Sequence, residues 1–144
     1  RTNISDKTLQ DLEFSTVLQH VSEFCLSGLG KEKVLEIKPI HSKKELIKEL
    51  HLVDEYLTSF TSENRIPNHN FDNITESVKR LAIENSFIET DAFLKIATTS
   101  LTVNELIKFF KKFQIQFPTF FELSQKIEFT TFIDDEIKKM LHPF

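Results

Sequence analysis

Apolar residues recur at helical spacing along most of the chain, and one segment shows this pattern most clearly. It opens with Ser42-Lys43-Lys44-Glu45, a capping box in which a serine caps the helix and a glutamate follows three residues later. Five apolar residues then alternate spacings of four and three, which makes an a/d seam over two heptads: Leu46, Leu50, Val53, Leu57 and Phe60. Because two heptads are short for a dedicated coiled coil, we expect this seam to pack inside an ordinary helix bundle.

Shorter helices are predicted before this segment. Ser5 and Ser15 can each cap a short helix through the side-chain oxygen. The second of these helices carries an apolar stripe at helical spacing, formed by Val17, Leu18, Val21, Phe24 and Cys25. The two glycines of the chain, Gly28 and Gly30, stand where this second helix should stop, as glycines commonly do.

The second half of the chain also has a helical pattern. Apolar spacing predicts a long helix over about residues 90–113, although the weak helix formers Thr98-Thr99-Ser100 could break it. Pro118 suits the first turn of a further short helix. Two glycines and four prolines in 144 residues leave few tight turns, which favours long helices over a many-stranded sandwich. We therefore predict an all-α fold, an irregular bundle of about six to eight helices.

Length and composition limit the class of protein. A chain of 144 residues is expected to form one domain, residues 1–144, with candidate helical sublayers at 1–62 and 71–144. The single cysteine, Cys25, excludes an internal disulfide and indicates a reducing compartment, so we expect a cytoplasmic protein. No run approaches about 18 apolar residues, so no membrane span is predicted.

The sequence carries no recognisable catalytic motif. Gly28-Leu29-Gly30-Lys31 superficially resembles a phosphate loop, but Cys25 and Glu32 stand where that motif needs a glycine and a serine or threonine. None of the five histidines has a helical i, i+4 histidine partner, and Cys25 has no basic neighbour that would lower its pKa. We therefore predict no catalytic, cofactor-binding or metal-binding residue in this chain.

One run combines lysines with aromatic residues, Lys108-Phe109-Phe110-Lys111-Lys112-Phe113. Such a run can grip a nucleic-acid backbone and stack on bases, so Lys108, Phe109, Lys111 and Lys112 are candidate contacts for a nucleic acid or a partner. The alternative is structural, because Phe110 and Phe113 continue the core stripe and lysines complement the end of a helix. A net charge of -4 indicates that the domain alone binds nucleic acid weakly.

Residues 7–60 resemble the opening of the second bacterial MutS family, whose members lack the mismatch-reading domain. The resemblance begins with Lys7-Thr8-Leu9-Gln10-Asp11-Leu12-Glu13-Phe14 followed by Val17-Leu18. It continues with Leu29-Gly30-Lys31 through Leu35 to Pro39, and then with the apolar positions of the helix that carries the a/d seam. From Phe71 to Leu106 the resemblance is looser.

This resemblance implies a definite function. Proteins of this family are dimeric ATPases with a helical core and lever, and they are associated with branched DNA, suppression of recombination and, in some bacteria, stalled ribosomes. The chain would be the N-terminal part of the core and lever, a DNA mismatch repair protein-like element without catalytic residues. ATP and magnesium would bind outside it, and its partners would be the rest of its own chain, a second copy and, indirectly, DNA or a ribosome.

Two other functions stay open from the residues alone. The chain could be an independent helical adaptor that binds a protein through Phe109, Phe120 and Phe121. A small enzyme is the third alternative. The reading frame of the gene separates the first two, because a Walker motif in the same polypeptide would exclude an independent adaptor.

Overall fold

A computed structural model describes residues 4–141, apart from the side chains of residues 134, 137, 138, 140 and 141. These residues form eight α-helices and no strand, which confirms the predicted all-α fold. The helices are α1 (Asp6–Asp11), α2 (Phe14–Glu23), α3 (Gly28–Leu35), α4 (Lys43–Thr61), α5 (Thr75–Leu81), α6 (Thr90–Lys112), α7 (Pro118–Ser124) and α8 (Phe132–Leu141).

The chain divides into two compact units, residues 1–50 and 51–144, and the division falls within α4. In the first unit α2 packs against both α1 and α3. In the second unit α6 is the central helix and packs against α5, α7 and α8. The sublayers expected at 1–62 and 71–144 stay a prediction.

The first unit confirms one predicted cap and corrects another. Ser5 caps α1, since its side-chain oxygen accepts a hydrogen bond from the Thr8 backbone nitrogen at 3.2 Å. Ser15 does not cap α2, which begins one residue earlier at Phe14. The residue before it, Glu13, has a left-handed conformation with φ of 50°. This backbone turn, rather than a capping side chain, separates the first two helices.

The two glycines do not end α2, so that interpretation was wrong. They open α3, and Ser27 caps this helix by accepting a hydrogen bond from the Gly30 backbone nitrogen at 3.0 Å. Neither glycine has a positive φ. Gly30 suits a crowded position, because an added Cβ there would lie 3.1 Å from the capping oxygen of Ser27.

The buried residues of the described chain all belong to the second unit. Its apolar core consists of Ile96, Ala97, Phe110 and Phe117, and Phe117 has no exposed surface. None of the described residues of the first unit, 4–50, is buried. The helix α6 runs without a break through Thr98-Thr99-Ser100, where the sequence allowed one, and Thr99 is itself buried. Pro118 occupies the first turn of α7 as predicted.

The helix α4 exposes the a/d seam that we expected to be packed. The Ser42 cap is present, with the Glu45 backbone nitrogen 3.4 Å from the Ser42 hydroxyl oxygen. All five seam residues are nevertheless exposed, at 42–59% of their surface, whereas Glu55 and Ser59 are buried. At about 100° per residue, Glu55 and Ser59 lie on the opposite side of the helix from the seam. The expectation of a packed seam was therefore wrong for the described residues.

Candidate functional site at the end of helix α6

The four residues predicted to contact a nucleic acid or a partner lie in the last turns of α6. Lys108, Lys111 and Lys112 are exposed and stand three and four residues apart, so they share one face of the helix. The exposed backbone carbonyls at the end of a helix carry partial negative charge, which favours lysines at this position. The lysines therefore have a local structural reason to be there, as well as a candidate binding role.

Phe109 packs among other aromatic rings. Its ring centroid lies 5.5 Å from that of Phe110, 4.8 Å from that of Phe113 and 5.5 Å from that of Phe117. Phe110 in turn stacks on Phe120 with centroids 4.9 Å apart. Phe109 thus joins the end of α6 to the segment that leads into α7. Phe109 and Phe120, two rings of the alternative adaptor surface, are both engaged within this aromatic cluster.

Two of the three lysines lie over aromatic rings. The Lys108 ammonium is 5.2 Å from the centroid of the Phe129 ring, and the Lys112 ammonium is 5.1 Å from that of Phe113. These are cation–π distances, which contribute about 0.5–1 kcal/mol at exposed sites. Among the described residues, Lys111 has no ion pair, hydrogen bond or ring contact of its side chain. The end of α6 thus presents three ammonium groups, two of them over aromatic rings.

The segment after α6 is held by Glu55, a buried carboxylate on α4. Its two oxygens accept hydrogen bonds from the backbone nitrogens of Thr119 at 2.8 Å and Phe120 at 3.1 Å. Pro118 has no N–H, and Phe117, at the N-cap of α7, has no side-chain capping bond. Glu55 therefore does for α7 what a capping side chain normally does, from a position 64 residues earlier in the chain.

A second polar contact holds the same segment. The Asn64 side-chain nitrogen donates to the Gln116 side-chain oxygen at 3.0 Å, and the Gln116 side-chain nitrogen donates to the Ser62 hydroxyl oxygen at 2.7 Å. The Ser62 hydroxyl also accepts from the Asn64 backbone nitrogen at 2.9 Å. Three neutral polar side chains thus tie the segment after α4 to the segment between α6 and α7.

A third polar contact positions the residues before α8. Asn104 is buried on α6 and donates from its side-chain nitrogen to the Thr130 carbonyl oxygen at 2.6 Å. Its side-chain oxygen accepts from the Thr130 backbone nitrogen at 3.3 Å. Phe129, the ring beneath Lys108, is the residue next to Thr130. Asn104 thereby fixes the backbone that carries the ring of this cation–π contact.

The sequence contained no signal for these three polar contacts. Glu55, Asn64 and Asn104 look like ordinary polar positions on or beside amphipathic helices, and their partners lie 26–65 residues away in the chain. The burial of Glu55 can be recognised only in retrospect, because it stands opposite the a/d seam that was expected to face the core. The lysine and phenylalanine run was recognisable because its members are adjacent in sequence.

The described part of the chain offers no other convergent chemistry. It contains no group of three or more His, Cys, Asp or Glu side chains placed to hold a metal ion. Cys25 is partly buried, and its Sγ lies 3.9 Å from the Val21 carbonyl oxygen. A cleft of about 260 Å³ lies between α5, α6 and α8, and its lining includes Val78, Val103 and Ile133. Asn104 lines this cleft too, but its amide is already hydrogen-bonded to Thr130.

Among the helices that the structure describes, none is long and apolar enough to cross a bilayer.

Comparisons with known proteins point to one group. The chain is 29% identical over 149 aligned residues to endonuclease MutS2 of Caldanaerobacter subterraneus subsp. tengcongensis, which covers 96% of the chain and 19% of that protein. It is 26% identical to endonuclease MutS2 of Alkaliphilus metalliredigens and 23% identical to that of Alkaliphilus oremlandii, in each case over 94% of the chain and 17% of the relative. No protein-family model and no solved structure matches the chain.

The chain therefore spans less than a fifth of the length of these curated relatives. The similarity is weak in identity but extends over nearly the whole chain. These findings support a fragment of a MutS2-like protein.

Proposed function

We propose that the chain is the N-terminal core and lever region of a larger MutS2-type ATPase and that it has no active site of its own. The observation that carries the proposal is the similarity to MutS2 proteins over 94–96% of the chain, combined with a coverage of only 17–19% of those proteins. In this role ATP and magnesium bind outside the chain. The chain couples the nucleotide state to the binding of branched DNA, in suppression of recombination, or of stalled ribosomes, within a homodimer.

The contacts of the second unit suit an element that transmits movement. A lever must carry a displacement along its length without bending, which requires its helices to be held to one another. Glu55 holds α7 and Asn104 holds the segment before α8. Both bonds reach the backbone of their partner segment, so they fix its position more firmly than a contact between two flexible side chains would. The 23-residue helix α6 lies at the centre of this arrangement.

The three lysines at the end of α6 are the proposed point of contact with a nucleic-acid backbone or a partner. Ammonium groups bind phosphates without regard to base sequence, and this suits a protein that recognises the shape of a branched or structured nucleic acid. Because Phe109 is packed among neighbouring rings, we assign it the task of supporting the lysine-bearing turn. The adaptor alternative loses Phe109 and Phe120 as free contact residues for the same reason.

Hydrogen exchange on the intact gene product tests the coupling role. We expect the amides of α6 and α7 to change their exchange rates between ADP and a non-hydrolysable ATP analogue, and again when a four-way DNA junction is added. A reading frame with a Walker motif in the same polypeptide is a precondition of this experiment. Unchanged exchange across the second unit in all nucleotide states, or a reading frame that ends close to residue 144, would overturn the proposal.

The lysine contact is tested separately by salt-dependent binding of junction DNA to the intact protein. Each lost phosphate contact lowers the slope of log K against log salt by about 0.9, so changing Lys108, Lys111 and Lys112 to Gln should lower it by about 2–3. The matched control changes Lys31, Lys43 and Lys44, three exposed lysines of the first unit, to Gln. Equal effects of the two triple variants would show a response to net charge alone and would remove the lysines from the proposed contact.

A further inference from the structure

The turn between α6 and α7 exposes one large apolar side chain almost completely. Ile115 keeps 96% of its surface exposed, although Phe117, two residues later, has none exposed. Single exposed apolar residues are common on protein surfaces, so exposure alone does not indicate a site. Ile115 differs in two respects, which are the fixed conformation of its turn and the charge of the residues that precede it.

The backbone of this turn is held from both sides. The Gln116 backbone nitrogen donates to the Phe113 carbonyl oxygen at 3.0 Å. The Gln116 side-chain amide is bonded at both of its ends, to Ser62 at 2.7 Å and to Asn64 at 3.0 Å. Isoleucine is also branched at Cβ, which restricts its χ1 rotamers. The turn therefore presents a stiff apolar side chain to solvent, and little conformational entropy is lost when such a side chain inserts into a partner.

The charges along this part of the chain favour a partner that carries phosphates. Lys111 and Lys112 stand four and three residues before Ile115, and both are exposed. No acidic residue stands between Glu105 and Glu122 in the sequence. Ammonium groups without a neighbouring carboxylate attract the phosphates of a nucleic-acid backbone.

The isoleucine and the two lysines are close enough to act on one short stretch of nucleic acid. Four residues span at most about 14 Å. This length corresponds to about four base steps along one strand, at ~3.4 Å for each step. The segment that holds Gln116 adds one charge of each sign, Glu63 and Arg65, so the balance near the turn stays positive.

Phe87 shows the same exposure without these charges. It is 97% exposed in the segment between α5 and α6, and the charged residues nearest to it in the sequence are Glu84 and Glu89. Carboxylates repel phosphates, so this aromatic residue is poorly placed to meet a nucleic acid. Phe87 is therefore a matched control for Ile115.

An apolar side chain that enters a base stack must first separate two bases. Isoleucine is among the residues that proteins insert in this way, and the separation costs free energy in a continuous duplex. The cost is smaller where the stack is already interrupted, as at a branch point or a bulge. Phosphate contacts alone do not make this distinction, because every strand carries phosphates.

We propose that Ile115 inserts into an interrupted base stack while Lys111 and Lys112 bind the phosphates beside it. This inference rests on the proposed function of the lysine-bearing end of α6 and deepens it. One side chain then favours branched over continuous DNA, and the polar contact of Gln116 holds the turn that presents this side chain.

A four-way DNA junction with 2-aminopurine beside its branch point is the probe, and a continuous duplex with the same base is its counterpart. The emission of 2-aminopurine rises when the base loses its stacking neighbour. We expect the intact protein to raise the emission of the junction. Ile115→Ser should abolish this rise and weaken junction binding about five- to ten-fold, because the isoleucine side chain is no longer buried between bases. Duplex binding should not change. Ile115→Leu should restore both signals, since leucine also inserts between bases.

Two comparisons separate the isoleucine from exposure and from charge. Phe87→Ser removes an equally exposed apolar side chain, and it should leave junction binding and emission unchanged. Ile115→Ser should leave the slope of log K against log salt unchanged, because isoleucine neutralises no phosphate, whereas changing Lys108, Lys111 and Lys112 to Gln should lower it. Both serine variants should unfold at the urea midpoint of the unchanged protein, because the replaced side chains are exposed.

The outcomes distinguish failure of this inference from failure of the proposed function. If Ile115→Ser binds the junction and raises its emission as the unchanged protein does, while the lysine variant still lowers the salt slope, the insertion is refuted and the lysine contact stands. Loss of binding that Phe87→Ser shares, or that extends equally to the duplex, also overturns the insertion. If the lysine variant leaves the salt slope unchanged, or the intact protein binds neither DNA, the proposed nucleic-acid contact fails and the insertion fails with it.

Discussion

Replacement of Glu55 by alanine is the most direct test of how α7 is held. The substitution removes both hydrogen bonds at the start of α7 and leaves the Thr119 and Phe120 nitrogens without a partner beside a fully buried Phe117. A hydrogen bond to a charged group contributes about 1.5–3 kcal/mol, and water that enters the vacated space recovers part of the loss. We therefore expect Glu55→Ala to lower the free energy of unfolding by about 3 kcal/mol.

Glu55→Gln separates the charge from the geometry. A glutamine keeps one oxygen that can accept a hydrogen bond from α7, but it lacks the negative charge that a helix N-terminus favours. The second position of the carboxylate becomes an NH₂ group, which would meet the N–H of α7 as donor against donor. We expect a loss of about 1–2 kcal/mol, between the unchanged chain and the alanine variant.

Urea denaturation followed by circular dichroism measures both effects. With a slope of about 2 kcal/mol per molar urea, a loss of about 3 kcal/mol moves the unfolding midpoint down by about 1.5 M. Glu49→Ala is the matched control, because Glu49 is an exposed glutamate on the same helix and its replacement should change stability by less than about 0.5 kcal/mol. Equal unfolding midpoints of Glu55→Ala and Glu49→Ala would show that Glu55 does not hold α7.

Three further outcomes are expected. Asn104→Ala should cost about 2 kcal/mol in urea denaturation, because it leaves the Thr130 backbone nitrogen and oxygen unpaired, and a cost equal to that of an exposed substitution would contradict this. Glu13→Gly should raise the midpoint of thermal unfolding by relieving the left-handed backbone, a gain of roughly 0.5 kcal/mol that Glu13→Ala should not reproduce. The Lys79 ammonium, hydrogen-bonded to Glu76, holds the pKa of that carboxyl below its ordinary value. Stability from this pair is present above the ordinary pKa and is lost as pH falls through the lowered pKa, so in an NMR titration Lys79→Ala should raise the pKa of Glu76.

The sequence predicted the elements of the fold well where a single local signal decides them. Ser5 and Ser42 cap helices because a side-chain oxygen reaches a backbone nitrogen three residues later, which is a local property. Pro118 opens α7 for an equally local reason, the missing N–H and restricted φ of proline. The left-handed turn at Glu13 was missed, since glutamate is rarely found in that conformation and no neighbouring residue indicates it.

Apolar periodicity did not predict which side of α4 is buried. It identifies the residues that share one face of a helix, but it does not show whether that face packs against the core or is exposed. The five residues of the a/d seam do lie on one face of α4, as their spacing predicted. The further inference that this face is packed in the core was wrong, because all five residues are exposed. The core side of α4 was set instead by Glu55, whose partners are backbone groups of a segment with no sequence signature of its own. A polar residue that recognises backbone atoms leaves no pattern in a hydropathy profile.

Buried polar side chains also support the candidate site at the end of α6 from two sides. The ring beneath Lys108 is carried by a backbone that Asn104 holds, and the ring against Phe109 is Phe117, which directly precedes the turn that Glu55 holds. Each polar bond comes from a buried side chain, and a buried group left without its partner costs more than the bond itself contributes. Displacement of either segment is therefore resisted by the penalty for an unpaired buried carboxylate or amide as well as by lost packing. The aromatic rings that flank the lysine-bearing turn are consequently held in place by two buried polar residues, Asn104 and Glu55.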